Sequence, residues 1–280
     1  MRLAGLVLLL VAGAASSAPF HFTFAAAQER LDTGLYVQRG ERLEIEARGS
    51  WTMWAGHYGR SNADGHRYRA GVYGWGRLMA RVGSGEEISI GTHKAWTSPN
   101  EGLLVLYPNL GELGLRGGEG QLEIDVTGGT RVEQVIASLS KAGECVTVPA
   151  DGTMTDLYVE EGQLVTIHAF GEWRMFEHGP LLTPDGDLTR RLPDGTPWGR
   201  LVARVGAPTF SVGETYPTGA RRELRPARSG MLELSPAVGP YAGHARSGNL
   251  TVVVRGARRA SPEDRAAAQR AAADYERSLA

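Results

Sequence analysis

The stretch WGRLMARVG at residues 75–83 returns at residues 198–206 as WGRLVARVG, identical at eight of nine positions. The phrase holds no acid, no histidine and no nucleophile, so it is not chemistry written twice. Leu78, Ala80 and Val82 alternate with Met79 and Arg81, and Gly83 closes the run. That is the period of a strand ending in a turn. A chain that repeats a scaffold strand is built from two copies of one fold, and this constrains every later assignment.

Other matches run in the same order along the chain. Leu35-Tyr36-Val37 recurs as Leu157-Tyr158-Val159, and Gly40 as Gly162. Ile45, Ala47, Gly49 and Trp51 recur as Ile167, Ala169, Gly171 and Trp173, all at an offset of 122, to which Ser89/Ser211 and Gly91/Gly213 also conform. From Gly102/Gly230 through Leu106/Leu234 to Gly120/Gly248 and Val126/Val254 the offset is 128. The change places a loop-sized insertion between residues 91 and 102. The copies span 20–128 and 143–256, joined by a linker at 129–142 (GTRVEQVIASLSKA) that is partly strand.

Each copy reads as β structure. Leu43–Ala47 and Leu122–Val126 alternate apolar and polar residues, as do their counterparts. Turn signals such as Gly83-Ser84-Gly85 and Pro99-Asn100-Glu101-Gly102 separate the strands. The expected fold class is all-β, two tandem β-sandwich (jelly-roll, galactose-binding-like) domains with a short C-terminal helix at 261–279. That helix starts at Ser261-Pro262-Glu263-Asp264, an N-cap, a first-turn proline and first-turn acids. Tyr275 and Leu279 are its main large apolar residues, which predicts a solvated or loosely docked helix.

Thirty basic against 31 acidic residues give no electrostatic case for nucleic acid. Arg2, the apolar run Leu3–Ala15 and Ser16-Ser17-Ala18 read as a signal peptide over 1–18, too short to span a bilayer comfortably. The expectation is a secreted or periplasmic protein without a membrane span in the mature chain. Cys145, the single cysteine, excludes an internal disulfide and is expected as a small buried hydrophobe at a strand start.

Read as an ordered string, one copy resembles the PA-IL-like bacterial lectin domain, a calcium-dependent galactose-binding jelly roll. The resemblance rests on Tyr36-Val37, Gly40, the strand from Leu43, Gly49-Ser50-Trp51-Thr52-Met53-Trp54-Ala55-Gly56, the repeated phrase, the strand Leu103–Leu106 and the final hairpin ending Gly120-x-Leu122. The second copy adds Gly179-Pro180 and Pro184-Asp185-Gly186. The resemblance implies a calcium site in the loop before the last strand, where Asn and Asp residues supply oxygens and the sugar completes the shell. Calcium needs six to eight such ligands. Here the positions expected to carry Asn or Asp are Gly117 and Gly118 in the first copy, leaving Asn109, Glu112 and Glu119 as its metal candidates. In the second copy the loop reads Ala237-Val238-Gly239-Pro240 and Ala245-Arg246-Ser247-Gly248, with Arg246 at a ligand position. No cofactor is certain; calcium in the first domain is the candidate.

Trp51, Trp54, Tyr58, Tyr68, Tyr73 and Trp75 crowd one region of the first copy with His57 and His66. Aromatic faces stack on sugar rings while polar neighbours hold hydroxyls. Trp51 and Trp173, present in both copies, are expected in the cores. Trp54, Tyr58 and His66, peculiar to the first copy, are the candidate carbohydrate-binding residues, and the resemblance implies a sugar contact for a histidine here. His57, His66 and His93 fit no metal-ligand spacing, and Asp185, Asp187 and Asp194 read as turn formers. There is no nucleophile elbow and no His-Glu-x-x-His helix. The expected function is an exported, non-catalytic, lectin-like protein whose partner is a glycan or envelope component. The alternative is an envelope structural or protein-interaction module that kept the lectin fold and lost calcium and sugar binding.

Overall fold

The computed structural model describes residues 18–206, 213–238 and 245–279. The signal segment expected at 1–18 lies outside these residues except for Ala18. Each copy is a sandwich of two antiparallel sheets. In the first, a four-stranded sheet runs in the order Phe20–Ala25, Glu119–Thr127, Arg42–Thr52, His93–Thr97. Its five-stranded partner runs Thr130–Arg131, Leu31–Val37, Gly102–Pro108, Leu78–Val82, Ile88–Ser89. The second copy repeats the pattern. Glu144–Pro149, Ser247–Arg255, Val165–Arg174 and Arg221–Leu224 form four strands against the five led by Gly213–Pro217 and Leu201–Gly206. Two separate apolar cores result, the first built on Phe24, Leu35, Ile45, Trp51 and Leu104, the second on Leu157, Ile167, Trp173 and Leu232.

Packing explains why the phrase is repeated. Trp51 and Trp173 are fully buried, and each has one polar atom to satisfy. Trp51 Nε1 donates to the carbonyl of Gly76 at 3.0 Å, and Trp173 Nε1 to that of Gly199 at 2.9 Å. These glycines are the second letter of the phrase, and both have φ +73°. A Cβ there would sit 3.0 Å from Met53 Cγ in one copy and 2.6 Å from Leu182 Cδ1 in the other. Side chains rarely adopt that backbone, so glycine is required twice over. The next letter is equally fixed. Arg77 faces Asp64, and Arg200 faces Asp185, while the same aspartates accept the backbone N–H of Thr92 (3.1 Å) and Ala220 (3.0 Å).

This second contact corrects the repeat alignment. Gly91 and Gly219 occupy equivalent places, since a Cβ on either would lie 2.3 Å from the aspartate Oδ1. Gly91 therefore corresponds to Gly219 and not to Gly213. The chain runs eight positions from Gly83 to Gly91 but thirteen from Gly206 to Gly219. The extra residues lie before Gly219, not in the segment matching 91–102. Small residues make the Ser-x-Gly coincidence easy; register with the aspartate decides against it.

The segment 129–142 is more than a linker with some strand. Thr130–Arg131 pairs with Tyr36 and Leu35 on the edge of the five-stranded sheet, and helix α1 (Val132–Ser140) follows. The second copy ends alike: Arg258–Arg259 pairs with Tyr158 and Leu157, and helix α2 (Pro262–Leu279) follows. Apolar residues at 132, 135, 136 and 139 have helical spacing, which the preceding Gly-Gly and the short length conceal. Cys145 is a second correction. It is exposed, because alternation along Glu144–Pro149 turns Val146 and Val148 inward.

The start of α2 is capped as the sequence predicts. Asp264 N–H donates to Ser261 Oγ at 3.2 Å and Ser261 N–H to Asp264 Oδ2 at 2.7 Å, a reciprocal box. Arg258 also binds Asp264 and holds its carboxyl well below the usual range. The helix docks lightly, through Ala268 beside Ala260 and Met231. Ser261→Ala is therefore expected to cost about 1 kcal/mol of local helix stability. Amide hydrogen exchange at 263–266 should accelerate while both sandwich cores keep their protection; unchanged exchange would refute the cap.

Candidate aromatic site in the first repeat

Strand Arg42–Thr52 carries the chain out of the first core and into a loop that Thr52 fastens. Its hydroxyl donates to the carbonyls of Trp54 (3.3 Å) and Tyr58 (3.1 Å). This places Tyr58 at the centre of a ring cluster. Its centroid lies 5.1 Å from Trp75, 5.3 Å from Tyr68, 5.6 Å from His66 and 5.8 Å from Trp54, all edge to face. His66 stacks flat on Tyr68 at 4.9 Å. The three carbohydrate candidates Trp54, Tyr58 and His66 thus meet in one place although the outer two are twelve positions apart in sequence.

Burial is graded across the cluster. Trp75 is 2% exposed and belongs to the core; Trp54, Tyr58 and His66 are partly buried; Tyr68 is 49% and Tyr73 40% exposed. The hairpin of His66–Ala70 and Tyr73–Trp75 lifts these tyrosines, with exposed Val72, above the surface. Exposed aromatics resting on a packed floor are suited to contacting another molecule, since little ordering remains to be done.

Sequence reasoning does not reach Arg116. Its guanidinium lies 4.8 Å from the Trp54 ring centroid, and its backbone N–H donates to Met53 O at 3.0 Å. Ala55 N–H likewise donates to Gly117 O at 3.2 Å. The aromatic loop is therefore stitched to the loop before the last strand. No local signal joins positions 62 apart; only the fold brings them together.

The calcium candidates are placed differently. Asn109 follows strand Gly102–Pro108, and its amide Nδ2 donates to Gly74 O at 3.1 Å. Glu112 lies exposed on a single 3-10 turn, and Glu119 lies exposed opposite Thr52. At Gly118, a ligand position by resemblance, a Cβ would lie 2.2 Å from the Ala26 carbonyl oxygen, which closes the place to Asn or Asp. Its counterpart Arg246 has a nearly buried guanidinium, with Nη1 3.5 Å from Ala150 O and 3.9 Å from Asp151 Oδ1. A cation already stands where the second loop would hold one. These residues do not fit the family's oxygen shell.

A carboxylate-imidazole cluster does exist elsewhere. Ligating atoms of Glu44, Glu46 and His93 lie within 4.8 Å of one another on the first four-stranded sheet, and His93 Nε2 is 3.0 Å from Glu44 Oε1. His93 is thus apart from His57, which packs on Trp54 at 4.4 Å, and from His66. Asp187 and Asp194 make turns, accepting the N–H of Thr189 and Thr196 at 2.9 Å each.

Among the described residues, the second repeat builds no equal platform. Phe176, in the place of Trp54, packs directly on Trp198 at 5.7 Å. Asp187 pairs with Trp198 as His66 pairs with Trp75. Residues 180–183 and 186–189 line a 280 Å³ cleft together with Gly83-Ser84-Gly85 of the first repeat, so this loop faces its neighbour.

No protein-family model matches the sequence, and comparison with curated proteins finds no match. Among solved structures, a chain described as "EclA N-terminal domain; PllA-like lectin" is similar at 25% identity with a TM-score of 0.35, covering 39% of this chain and 97% of that one.

Proposed function

We propose that the chain is an exported, non-catalytic, carbohydrate-binding protein of lectin type, with its recognition surface on the aromatic platform of the first repeat and no calcium in the contact. One observation carries the reading. Trp54, Tyr58 and His66 converge with exposed Tyr68 on a floor fixed by Trp75 and Arg116. Ring faces stack on the apolar face of a sugar, and His66 and Arg116 supply donors for its hydroxyls. Trp54 and Tyr58 bind by presenting surface, and His66 orients the sugar by hydrogen bonding; no proton moves. The second repeat serves as a scaffold partner, its corresponding loop turned toward the first.

The closed position at Gly118 and the guanidinium of Arg246 favour one rival: an envelope interaction module that kept the fold and lost sugar binding. A glycan array run with and without EDTA separates them. The expected result is a glycan signal that EDTA leaves intact and that Trp54→Ala or His66→Ala lowers about tenfold, in line with loss of roughly one aromatic or hydrogen-bonded contact. A signal abolished by EDTA would overturn the metal-free contact. No signal on any glycan would leave the interaction module.

A further inference from the structure

Carboxylates and an imidazole converge on the outer face of the first four-stranded sheet, apart from the aromatic platform. Alternation along strand Arg42–Thr52 buries Leu43, Ile45 and Ala47 and turns Glu44 and Glu46 outward. On the neighbouring strand His93 pairs in register with Glu46, so both side chains leave the same face. Lys94 pairs with buried Ile45 and therefore starts from the opposite face. Opposite Glu44 stands Ala95, whose small side chain gives the carboxylate room to lean along the sheet toward His93. Glu44 Oε1 lies 3.0 Å from His93 Nε2, and ligating atoms of all three side chains lie within 4.8 Å of one another. The histidine is 47 and 49 positions from the two acids, so only strand pairing discloses the set.

Two features distinguish this set from an ordinary patch of surface charge. The second repeat does not carry it. There His168 stands in register opposite Arg221, where the first repeat has Glu46 opposite His93, and Thr166 takes the place of Glu44. That face of the second repeat is packed against the first: Phe170 meets Tyr36 edge-on at 5.5 Å, and Arg221 pairs with Glu101 at 3.3 Å. The scaffold therefore requires neither the carboxylates nor the imidazole at these positions. In the first repeat they face solution, with the side chains of Glu44, Glu46 and His93 43%, 46% and 55% exposed. The second feature is charge. Arg42 and Arg48 share the face with Glu44, Glu46, Glu123 and Asp125, so two cations against four carboxylates leave two negative charges. Arg48 lies 2.6 Å from Glu46 and 3.7 Å from Asp125, which places it as the competitor of a bound cation for Glu46.

We infer that Glu44, Glu46 and His93 form a surface site for a divalent transition-metal cation of the zinc class. One imidazole with two carboxylates suits zinc, nickel or copper. Calcium takes six to eight oxygens, and two carboxylates offer at most four. Three protein ligands leave coordination positions open to water or to a group on another molecule. The sheet holds the three donors together before the ion arrives, which lowers the ordering cost of binding. The inference does not rest on sugar binding at the platform.

Calorimetric titration of the metal-stripped, tag-free full chain with zinc chloride tests it, with the imidazole NMR signals of the histidines followed in parallel. A saturable one-to-one step is expected that moves the His93 signals and leaves those of His21, His57 and His66 in place. Nickel should compete for the same step, and calcium should not. Glu44→Gln, Glu46→Gln and His93→Gln alter only exposed side chains, so each should keep the circular dichroism spectrum of the parent while weakening zinc at least about tenfold. Arg48→Ala removes the competitor for Glu46 and should tighten zinc by up to about fivefold, the worth of a surface ion pair. That gain runs opposite to what loosening of the sheet would produce. No one-to-one zinc step, a step that leaves the His93 signals unmoved, full affinity in His93→Gln, or calcium competing as well as nickel would overturn the site.

Discussion

Trp51→Ala and Trp173→Ala should each cost about 3–5 kcal/mol, the loss expected when a buried tryptophan is cut to alanine and a cavity remains. The indoles fill the centres of two separate cores and satisfy the polar atom they bring there, on Gly76 and Gly199. Removing either ring also leaves a glycine carbonyl in the core without its donor, a further desolvation cost. Trp54→Ala should behave differently. Its ring is partly exposed and rests on Arg116, so unfolding should shift by about 1 kcal/mol or less, while glycan binding falls. Urea unfolding followed by intrinsic fluorescence and by far-UV circular dichroism resolves these cases. With two cores, Trp51→Ala should move the transition of the first repeat and Trp173→Ala that of the second. If Trp54→Ala destabilised the chain as much as Trp51→Ala, the separation of core from recognition surface would be refuted.

The amino-acid sequence makes part of this contrast legible. Residues whose role is repeated in both copies, such as Trp51 and Trp173, announce packing, because a scaffold must be filled the same way twice. Residues present in one copy, such as Tyr58 and His66, announce something local to that copy. What stays hidden has physical reasons. Arg116 reaches Trp54 through the fold, with no periodicity to betray it. Helix α1 buries none of its residues fully and is short, so its apolar spacing carries little weight beside a Gly-Gly turn. The five extra residues before Gly219 are easily misplaced because Ser and Gly recur by chance, whereas the carboxylates of Asp64 and Asp185 fix the true register through backbone N–H groups. Residue type alone misjudges Cys145, because strand alternation overrides the burial preference of a thiol.

The second large effect concerns the loop that the resemblance to PA-IL-like lectins marks as a calcium site. Placing Asn at Gly117 and at Gly118 should give opposite outcomes. Gly117 has φ +67° and nothing within 4 Å of a built Cβ. Asn tolerates that left-handed region better than most residues, so Gly117→Asn should fold with a loss below about 1 kcal/mol. At Gly118 the Cβ would stand 2.2 Å from the carbonyl oxygen of Ala26. That carbonyl belongs to the residue whose N–H donates to Gly120 O at 2.9 Å, where the first strand leaves its partner. The clash is with backbone, which cannot rotate away, so Gly118→Asn must part these segments. Forced overpacking of this kind costs about 1–3 kcal/mol or more. Thermal unfolding with and without millimolar calcium is the measurement. Gly118→Asn should melt lower in both conditions, and calcium should raise neither variant, because Asn109 keeps its amide on Gly74 O and Glu112 remains on an exposed turn. A calcium-dependent rise in either variant would show that the loop can still assemble an oxygen shell, and would return the metal to the recognition surface.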